Sequence, residues 1–212
     1  MKLLIVIAFI LSTITSFGQK HFTPPGYEVI DQKDGDLDGD GIGEKVIVYN
    51  TTDTTDDGIV RELHILKQSQ NNWTLWKQSR NAIRKSKEGG MMGNPFEGIE
   101  IDKGILIISF SGGSSWKWFY KDKYRFQNDE FELIGYSTVF GKPCEYWANF
   151  DFNLSTGKII YKKEFEDCEK EQEIYKTEKE TFYKKKISIN LNNRNLKEIK
   201  IVSPKYKHEL YL

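Results

Sequence analysis

The sequence has 212 residues with 31 basic and 31 acidic side chains, so its formal net charge is zero. A neutral chain gives no electrostatic reason to bind nucleic acid or an anionic membrane, and we predict neither as a partner. The three histidines, His21, His64 and His208, do not stand at metal-ligand spacing from one another or from the two cysteines. The composition therefore argues against zinc and nucleic-acid functions and assigns no function of its own.

The N-terminal segment predicts export. Met1–Leu11 joins one lysine to an unbroken apolar run that is too short to span a membrane. Ser16 and Gly18 then stand at the positions where a signal peptidase requires small residues. We predict a cleaved signal peptide over residues 1–18 and a mature chain without a transmembrane segment. The expected location is extracytoplasmic, either secreted or periplasmic.

Residues 19–212 are predicted to form a single, mainly β domain. Short stretches of alternating polar and apolar residues are separated by Gly, Asn and Asp clusters. This pattern is typical of antiparallel hairpins that form a sandwich or a barrel-like sheet. The turn at Asn128–Asp129 predicts three cross-strand pairs, which are Phe126 with Phe131, Tyr124 with Leu133 and Trp118 with Val139.

One segment leaves the fold class open. Glu169–Lys186 is dense in lysine and glutamate, with few apolar residues. It fits either a solvated helix or a twisted edge strand, because neither period dominates. A short C-terminal helix, and with it an α+β fold, therefore stays as an alternative.

The two cysteines fall beside a predicted hairpin. Tyr146–Asn153 and Lys158–Phe165 alternate as two strands about a three-residue loop. In that register Cys144 lies opposite Cys168, at the base of the hairpin. We predict a disulfide between them, which an oxidising compartment permits. Two free thiols are the alternative.

The most specific pattern is the acidic loop Asp34–Glu44, which precedes the apolar run Val46–Tyr49. Carboxylates alternate with glycines in this loop, and Ca²⁺ takes six to eight oxygen ligands from flexible loops of this kind. Gly41 stands where the chain must turn sharply. The predicted ligands are the carboxylates of Asp36, Asp38, Asp40 and Glu44 and the backbone carbonyl of Ile42, with Asp34 as an additional candidate.

This loop is not an EF-hand, because Ile47 stands where the bidentate glutamate is needed and no helix is predicted on either side. It resembles the loops that precede a strand in FG-GAP repeats of β-propellers and in related secreted modules, which share the pattern D-x-D-x-D-G-x-x-[DE]. The resemblance covers this loop alone, since a propeller repeats its motif in every blade. It implies a structural Ca²⁺. Alternatively, the loop is an acidic turn without metal.

The polar stretch after the apolar run bears on the same metal. Asp53, Asp56 and Asp57 lie in it, and any of them could reach back to complete the shell of ligands. We favour a solvated turn over metal ligation for these three residues.

A second candidate site is a row of aromatic side chains that share one face of a predicted strand, namely Trp116, Trp118, Tyr120, Tyr124 and Phe126. Such a face is either the core side of a sheet or an exposed platform for a sugar or a peptide. If it is a platform, Trp116, Trp118 and Tyr120 are the predicted ligand contacts.

The segment Ser79–Asn94 is basic and then rich in glycine. No strand-then-helix context surrounds its glycines, so it does not predict a phosphate-binding loop. A mobile loop is the expectation for this segment.

Several segments together resemble a recurrent block in uncharacterised bacterial secreted proteins. They are Asn94–Ile101, Gly104–Ile108, Gly112–Trp118, Tyr124–Gln127 and Phe131–Tyr136. Those proteins also carry a D-x-D-x-D-G loop followed by a strand near their N-terminus. The resemblance spans residues 34–137 and implies an extracytoplasmic β-rich module with no established activity.

The sequence is compatible with three kinds of function. The first is an exported, non-catalytic module with a Ca²⁺ loop that binds a protein or glycan at the cell surface or in the envelope. The alternative is a secreted hydrolase acting on glycans, which needs two close carboxylates. A third is a structural partner whose sheet edges pair with another chain. We favour the first and predict no catalytic residue, because no nucleophile elbow or triad pattern is present.

Overall fold

The computed structural model describes residues 22–69, 72–169, 173–196 and 198–212, and the predicted signal peptide lies outside these ranges. Three antiparallel sheets account for the regular structure, so the prediction of a mainly β fold is confirmed. Within these ranges there is no α-helix, only one 3₁₀ turn at Gly90–Met92, and the alternative of a short C-terminal helix was wrong for them. The described residues contain no helix long and apolar enough to cross a bilayer.

The first sheet has four strands in chain order, β1 Glu28–Gly35, β2 Glu44–Thr55, β3 Gly58–Ser69 and β4 Asn72–Ser79. Strand β2 is buried on both faces, which explains its unbroken apolar run. Val46 and Val48 face the main core. Ile47 and Tyr49 face the other way and form a smaller cluster with Leu66.

The second sheet has seven strands, and each pairs with the next one in sequence. They are β5 Phe96–Asp102, β6 Ile105–Gly113, β7 Lys117–Gln127, β8 Glu130–Lys142, β9 Tyr146–Asn153, β10 Lys158–Asp167 and β11 Glu173–Tyr183. Strand β11 comes from the segment that the sequence left open between helix and strand. It forms an edge of the sheet, where exposed lysines discourage pairing with other chains.

Two of the three pairs predicted for the β7–β8 hairpin are confirmed, Phe126 with Phe131 and Tyr124 with Leu133. The third was wrong, because Trp118 lies opposite Phe140 and not Val139. The register shifts by one residue at Ile134, which has no partner on β7. An extra residue of this kind is a β-bulge, and a count that assumes a regular ladder misses it.

The predicted disulfide between Cys144 and Cys168 is confirmed, with Cα atoms 5.1 Å apart. The register from which we inferred it was wrong by one residue, because β9 and β10 are joined by a four-residue loop and Asn153 lies opposite Lys158. Both cysteines lie beyond the last residue pair of the two strands, and Cys144 has a positive φ of 68°. Since the backbone there no longer follows the ladder, the disulfide tolerates the shift in register.

The two large sheets share one apolar core, in which Trp76 of β4 packs on Phe126 of β7 at 4.4 Å between ring centroids. The C-terminal segment, which comprises residues 187–196 and 198–212, packs against the same core. In this segment two short strands pair with each other, β12 Lys200–Val202 and β13 Glu209–Tyr211. Ile189 and Leu191 hydrogen-bond through their backbones to β8, which fixes the segment against the second sheet.

Candidate functional site

The turn between β1 and β2 brings three of the predicted metal ligands together. Carboxylate oxygens of Asp36, Asp38 and Asp40, hereafter the acidic cluster, lie within 4.8 Å of one another. Both oxygens of Asp36 accept backbone hydrogen bonds, from Gly39 N–H at 2.7 Å and from Gly41 N–H at 3.0 Å. These two residues have φ of 81° and 83°, a backbone conformation that favours glycine. The alternation of Asp and Gly therefore shapes the loop.

The other predicted ligands lie around the acidic cluster. The backbone N–H of Ile42 donates to a carboxylate of the cluster at 2.8 Å. Glu44 is buried, and its Oε2 accepts the backbone N–H of Leu37 at 2.7 Å, which supports the loop from its inner side. Asp34 pairs across the hairpin with Lys45 at 3.0 Å. The structure thus gives Glu44 and Asp34 partners of their own.

Two of the aspartates considered for the metal shell are engaged elsewhere. Asp53 accepts a hydrogen bond from Arg80 at 2.7 Å, and Asp57 accepts one from Lys85 at 2.9 Å. These contacts fit the alternative in which both belong to a surface turn region.

A lysine from β3 also contacts the acidic cluster. Lys67 hydrogen-bonds Asp38, which raises the pKa of the lysine, and its Nζ lies 3.6 Å from Asp40. Burial raises the pKa of the Glu44 carboxyl, and repulsion from Asp38 and Asp40 adds to this effect. Lys67 contacts two of the three carboxylates and can neutralise one charge, so the acidic cluster with Lys67 keeps a negative charge. The set of carboxylate oxygens fits a hard cation such as Ca²⁺.

The aromatic row on β7 divides into two parts. Its inner end belongs to the core, where Tyr124 is fully buried and Phe126 packs on Trp76. At its outer end, Trp118 and Tyr120 line a cavity of about 730 Å³. This volume lies in the range of small-molecule sites. The core alternative therefore describes the inner end of the row, and the outer end borders the cavity.

The cavity lies between one face of strands β7–β10 and the C-terminal segment. Its aromatic wall includes Trp118, Tyr120, Tyr136, Phe140, Phe150 and Tyr161. Burial raises the pKa of Tyr136 to about 12, so its hydroxyl stays protonated near neutral pH. Trp116 does not line the cavity but stacks on Phe140, with ring centroids 5.3 Å apart. Of the three predicted ligand contacts, Trp118 and Tyr120 reach the cavity.

Two arginines that the sequence analysis did not single out also line the cavity. Arg84, from the segment after β4, donates through Nε to the Tyr120 hydroxyl at 2.7 Å. Arg194, from the C-terminal segment, binds both oxygens of the buried Asp122 at 2.7 and 3.2 Å. The sequence signal for this pair was Asp122 itself, an acidic residue on the same strand face as Tyr120 and Tyr124.

A third group of charges lies in the first sheet. Glu62 of β3 is buried and accepts hydrogen bonds from Arg80 at 2.7 Å and from the Tyr27 hydroxyl at 3.2 Å. It also lies 2.7 Å from Nε2 of the buried His64. Burial alone would raise the pKa of Glu62, but the bonds to His64 and Arg80 outweigh it and lower the pKa. His64 is thus a hydrogen-bonded strand residue in the first sheet.

The acidic cluster and the cavity lie toward opposite ends of β7. Lys67 places its Nζ 4.4 Å from the ring centroid of Trp76, and Trp76 packs on Phe126. Trp118 stands eight positions away from Phe126 on the same strand, about 26 Å at the usual rise per residue.

Comparison with family models, with curated proteins and with solved structures finds no match for the chain. Its function must therefore be argued from these two sites.

Proposed function

We propose that the protein is an exported, non-catalytic binding module, braced by Ca²⁺ at the acidic cluster, that takes up a ligand of the cell surface or envelope. The observation that carries this proposal is the cavity at the outer end of β7. It combines an aromatic wall with a few polar groups, which is the usual composition of a ligand site. Because the acidic cluster lies far from the cavity, a metal there would act on stability and not on a bound ligand.

A structural role for Ca²⁺ agrees with the form of the loop. Loops of extracellular modules typically bind Ca²⁺ with dissociation constants of about 10⁻⁴ to 10⁻³ M. At millimolar Ca²⁺ such a site stabilises the folded state by about 1 kcal/mol. Part of this gain would come from relieving the repulsion between Asp36, Asp38 and Asp40, which a single lysine neutralises only in part.

Export is supported by the disulfide between Cys144 and Cys168. Disulfides of this kind form and persist outside the reducing cytosol. The apolar segment at residues 1–18 has the pattern of a signal peptide and supports the same location.

The cavity carboxylates favour a binding module over a glycan hydrolase. Glu209 is bonded to Lys200 and to the Tyr211 hydroxyl, and these bonds lower its pKa. A general acid requires the opposite shift. Glu88 accepts the backbone N–H of Lys85 at 2.7 Å, which occupies one of its oxygens.

Thermal unfolding of the purified protein tests whether Ca²⁺ stabilises the folded state by binding at the acidic cluster. We expect 5 mM Ca²⁺ to raise the Tm by about 2–4 °C relative to EDTA, which corresponds to about 1 kcal/mol for a chain of this size. Asp40→Asn should abolish this shift, because it removes one charged ligand while keeping the side-chain shape. The matched control is Asp151→Asn, an exposed aspartate on β9, which should keep the full shift. Equal shifts in both variants would contradict Ca²⁺ binding at the acidic cluster.

A further inference from the structure

The charges around the cavity are not evenly distributed. Arg194 is neutralised by Asp122, which also accepts a hydrogen bond from the Tyr124 hydroxyl at 3.2 Å. All three groups are buried. This pair therefore anchors the C-terminal segment and leaves no charge for a ligand.

Arg84 differs from Arg194 because it forms no ion pair among the described residues, although Glu88 lies near enough to interact with it electrostatically. Within the part of the chain that the structure describes, no carboxylate lies within 4.0 Å of its guanidinium. Only Nε is hydrogen-bonded there, to the Tyr120 hydroxyl. The guanidinium carbon lies 5.5 Å from the ring centroids of both Trp118 and Tyr120. The two terminal nitrogens, Nη1 and Nη2, keep their donors available to a molecule in the cavity.

Lys163 is a second cation of the same kind. It lines the cavity from β10, and its Nζ lies 3.6 Å from the ring centroid of Tyr146. Among the described residues no carboxylate forms an ion pair with it. Burial lowers its pKa, and the nearby Glu178 carboxylate opposes this shift without forming an ion pair with Lys163.

Among the described residues, the carboxylates that line the cavity form no ion pair with Arg84 or Lys163. Glu198 and Glu209 are exposed, and Glu209 already forms an ion pair with Lys200. Glu88 is half-buried, but one of its oxygens accepts the Lys85 N–H and it lies beyond ion-pair distance of Arg84. Exposed charges are screened by solvent and salt, whereas half-buried cations are screened less. The half-buried cations Arg84 and Lys163 therefore make the inner wall of the cavity positively charged.

The neutral groups of the cavity wall indicate what the uncharged part of a ligand would contact. Trp118 and Tyr161 line the cavity with aromatic rings, and the apolar face of a ligand ring packs well against such side chains. The Tyr120 hydroxyl accepts from Arg84, so its own proton remains free to donate. Thr138 and Asn195 add further polar groups to the lining.

We propose that the cavity binds a small organic acid whose carboxylate lies on a hydroxylated ring with an apolar face, with the carboxylate on Arg84 and that face against Trp118. Guanidinium groups bind carboxylates through two parallel hydrogen bonds, which suits the free Nη atoms of Arg84. This assignment rests on the proposed binding function and specifies its ligand. Acidic sugars and hydroxylated aromatic acids share this chemistry.

Isothermal titration with two matched pairs of probes tests the assignment. The pairs are glucuronate with glucose and 4-hydroxybenzoate with 4-hydroxybenzyl alcohol. We expect the acid of at least one pair to bind at least about tenfold more tightly than its neutral counterpart, as a charge-assisted hydrogen bond provides. Which acid binds distinguishes the sugar from the aromatic source.

Arg84→Gln should weaken the binding of that acid about tenfold or more. Its matched control is Arg125→Gln, an exposed arginine on β7 that hydrogen-bonds only Gln127 among the described residues and should bind like the unmodified protein. If Arg84→Gln lowers the Tm, Lys163→Gln provides a second variant, with an expected loss of about threefold or more.

The outcomes separate this inference from the proposed function. Equal affinity for acid and neutral probes would overturn the ligand class and leave a binding module in place. Binding of none of the four probes would overturn the ligand class as well. The Tm shift with Ca²⁺, measured on the same protein, reports independently on the brace, since the acidic cluster does not line the cavity.

Discussion

Two of the charged groups in this molecule differ in how their charges are balanced. Asp122 and Arg194 form a one-to-one pair with two hydrogen bonds in the buried core. The acidic cluster sets three aspartates against the single Lys67, at a loop where Asp40 is exposed. The buried pair is complete within the chain, whereas the exposed cluster keeps a charge that an external cation can balance.

The difference shows that burial determines whether a charged group needs a partner within the protein. A buried ion must find its partner inside the protein, because leaving it unpaired costs several kcal/mol. An exposed cluster tolerates imbalance, since water and salt screen it, and for the same reason it can respond to the medium. Removing charges at each place sharpens this contrast.

The largest effect is expected for Arg194→Met. This change leaves Asp122 buried without its partner and should lower the free energy of unfolding by about 3–5 kcal/mol. Urea unfolding measures it. The double variant Asp122→Asn with Arg194→Met should lose clearly less, because no unpaired charge remains. Equal losses in the single and double variants would mean that packing of the arginine stem, and not its charge, holds the C-terminal segment.

An intermediate effect is expected at Glu62, which is buried but bonded to several donors. Glu62→Gln should cost about 1–2 kcal/mol at pH 7, because hydrogen bonds to a charged acceptor are lost. The folded-state pKa of Glu62 lies below its usual value of 4.5. Its contribution is therefore fully present above pH 4.5 and is lost as the pH falls through the lower, folded-state pKa.

Unfolding curves at a series of pH values between 2 and 7 check this prediction. The difference in stability between the unmodified protein and Glu62→Gln should shrink as the pH falls below 4.5. A difference that stays constant over the whole range would show that the ionisation of Glu62 does not contribute.

The smallest effect is expected for Lys67→Met at the acidic cluster. In EDTA this variant should be less stable by up to about 1 kcal/mol, because Asp38 and Asp40 lose the lysine that contacts them. In 5 mM Ca²⁺ it should regain this loss, so its Tm shift on adding Ca²⁺ exceeds that of the unmodified protein. Lys77→Met, on the neighbouring strand and bonded to the exposed Asp129, is the control and should leave the Ca²⁺ shift unchanged. A smaller Ca²⁺ shift in Lys67→Met would mean that the lysine helps to hold the metal.

Much of the fold could be predicted because hairpins are local. The turn at Asn128–Asp129 fixes the pair Phe126–Phe131 through residues that are neighbours in sequence. The bulge at Ile134 could not be predicted, since nothing in the alternation of β8 marks one residue as unpaired. The disulfide was found from hairpin geometry even though the register was off by one, because both cysteines lie outside the ladder.

The candidate sites were harder to predict from the sequence than the fold. The three aspartates of the acidic cluster stand in one short loop, so their proximity follows from spacing alone. Lys67 is 29 residues from Asp38, and Arg194 is 72 residues from Asp122. Such contacts depend on how strands and the C-terminal segment pack. The cavity could not be predicted for the same reason, since its walls come from distant parts of the chain.

The order of strands in the second sheet has a consequence for how the protein folds. Each strand pairs with the one that precedes it, so contacts between neighbouring strands close short loops and form early. The wall of the cavity that contains Arg194, Leu210 and Leu212 comes from the end of the chain and depends on contacts with a sheet that must already exist. We therefore expect the cavity to form in the last step of folding, after the sheet itself has formed.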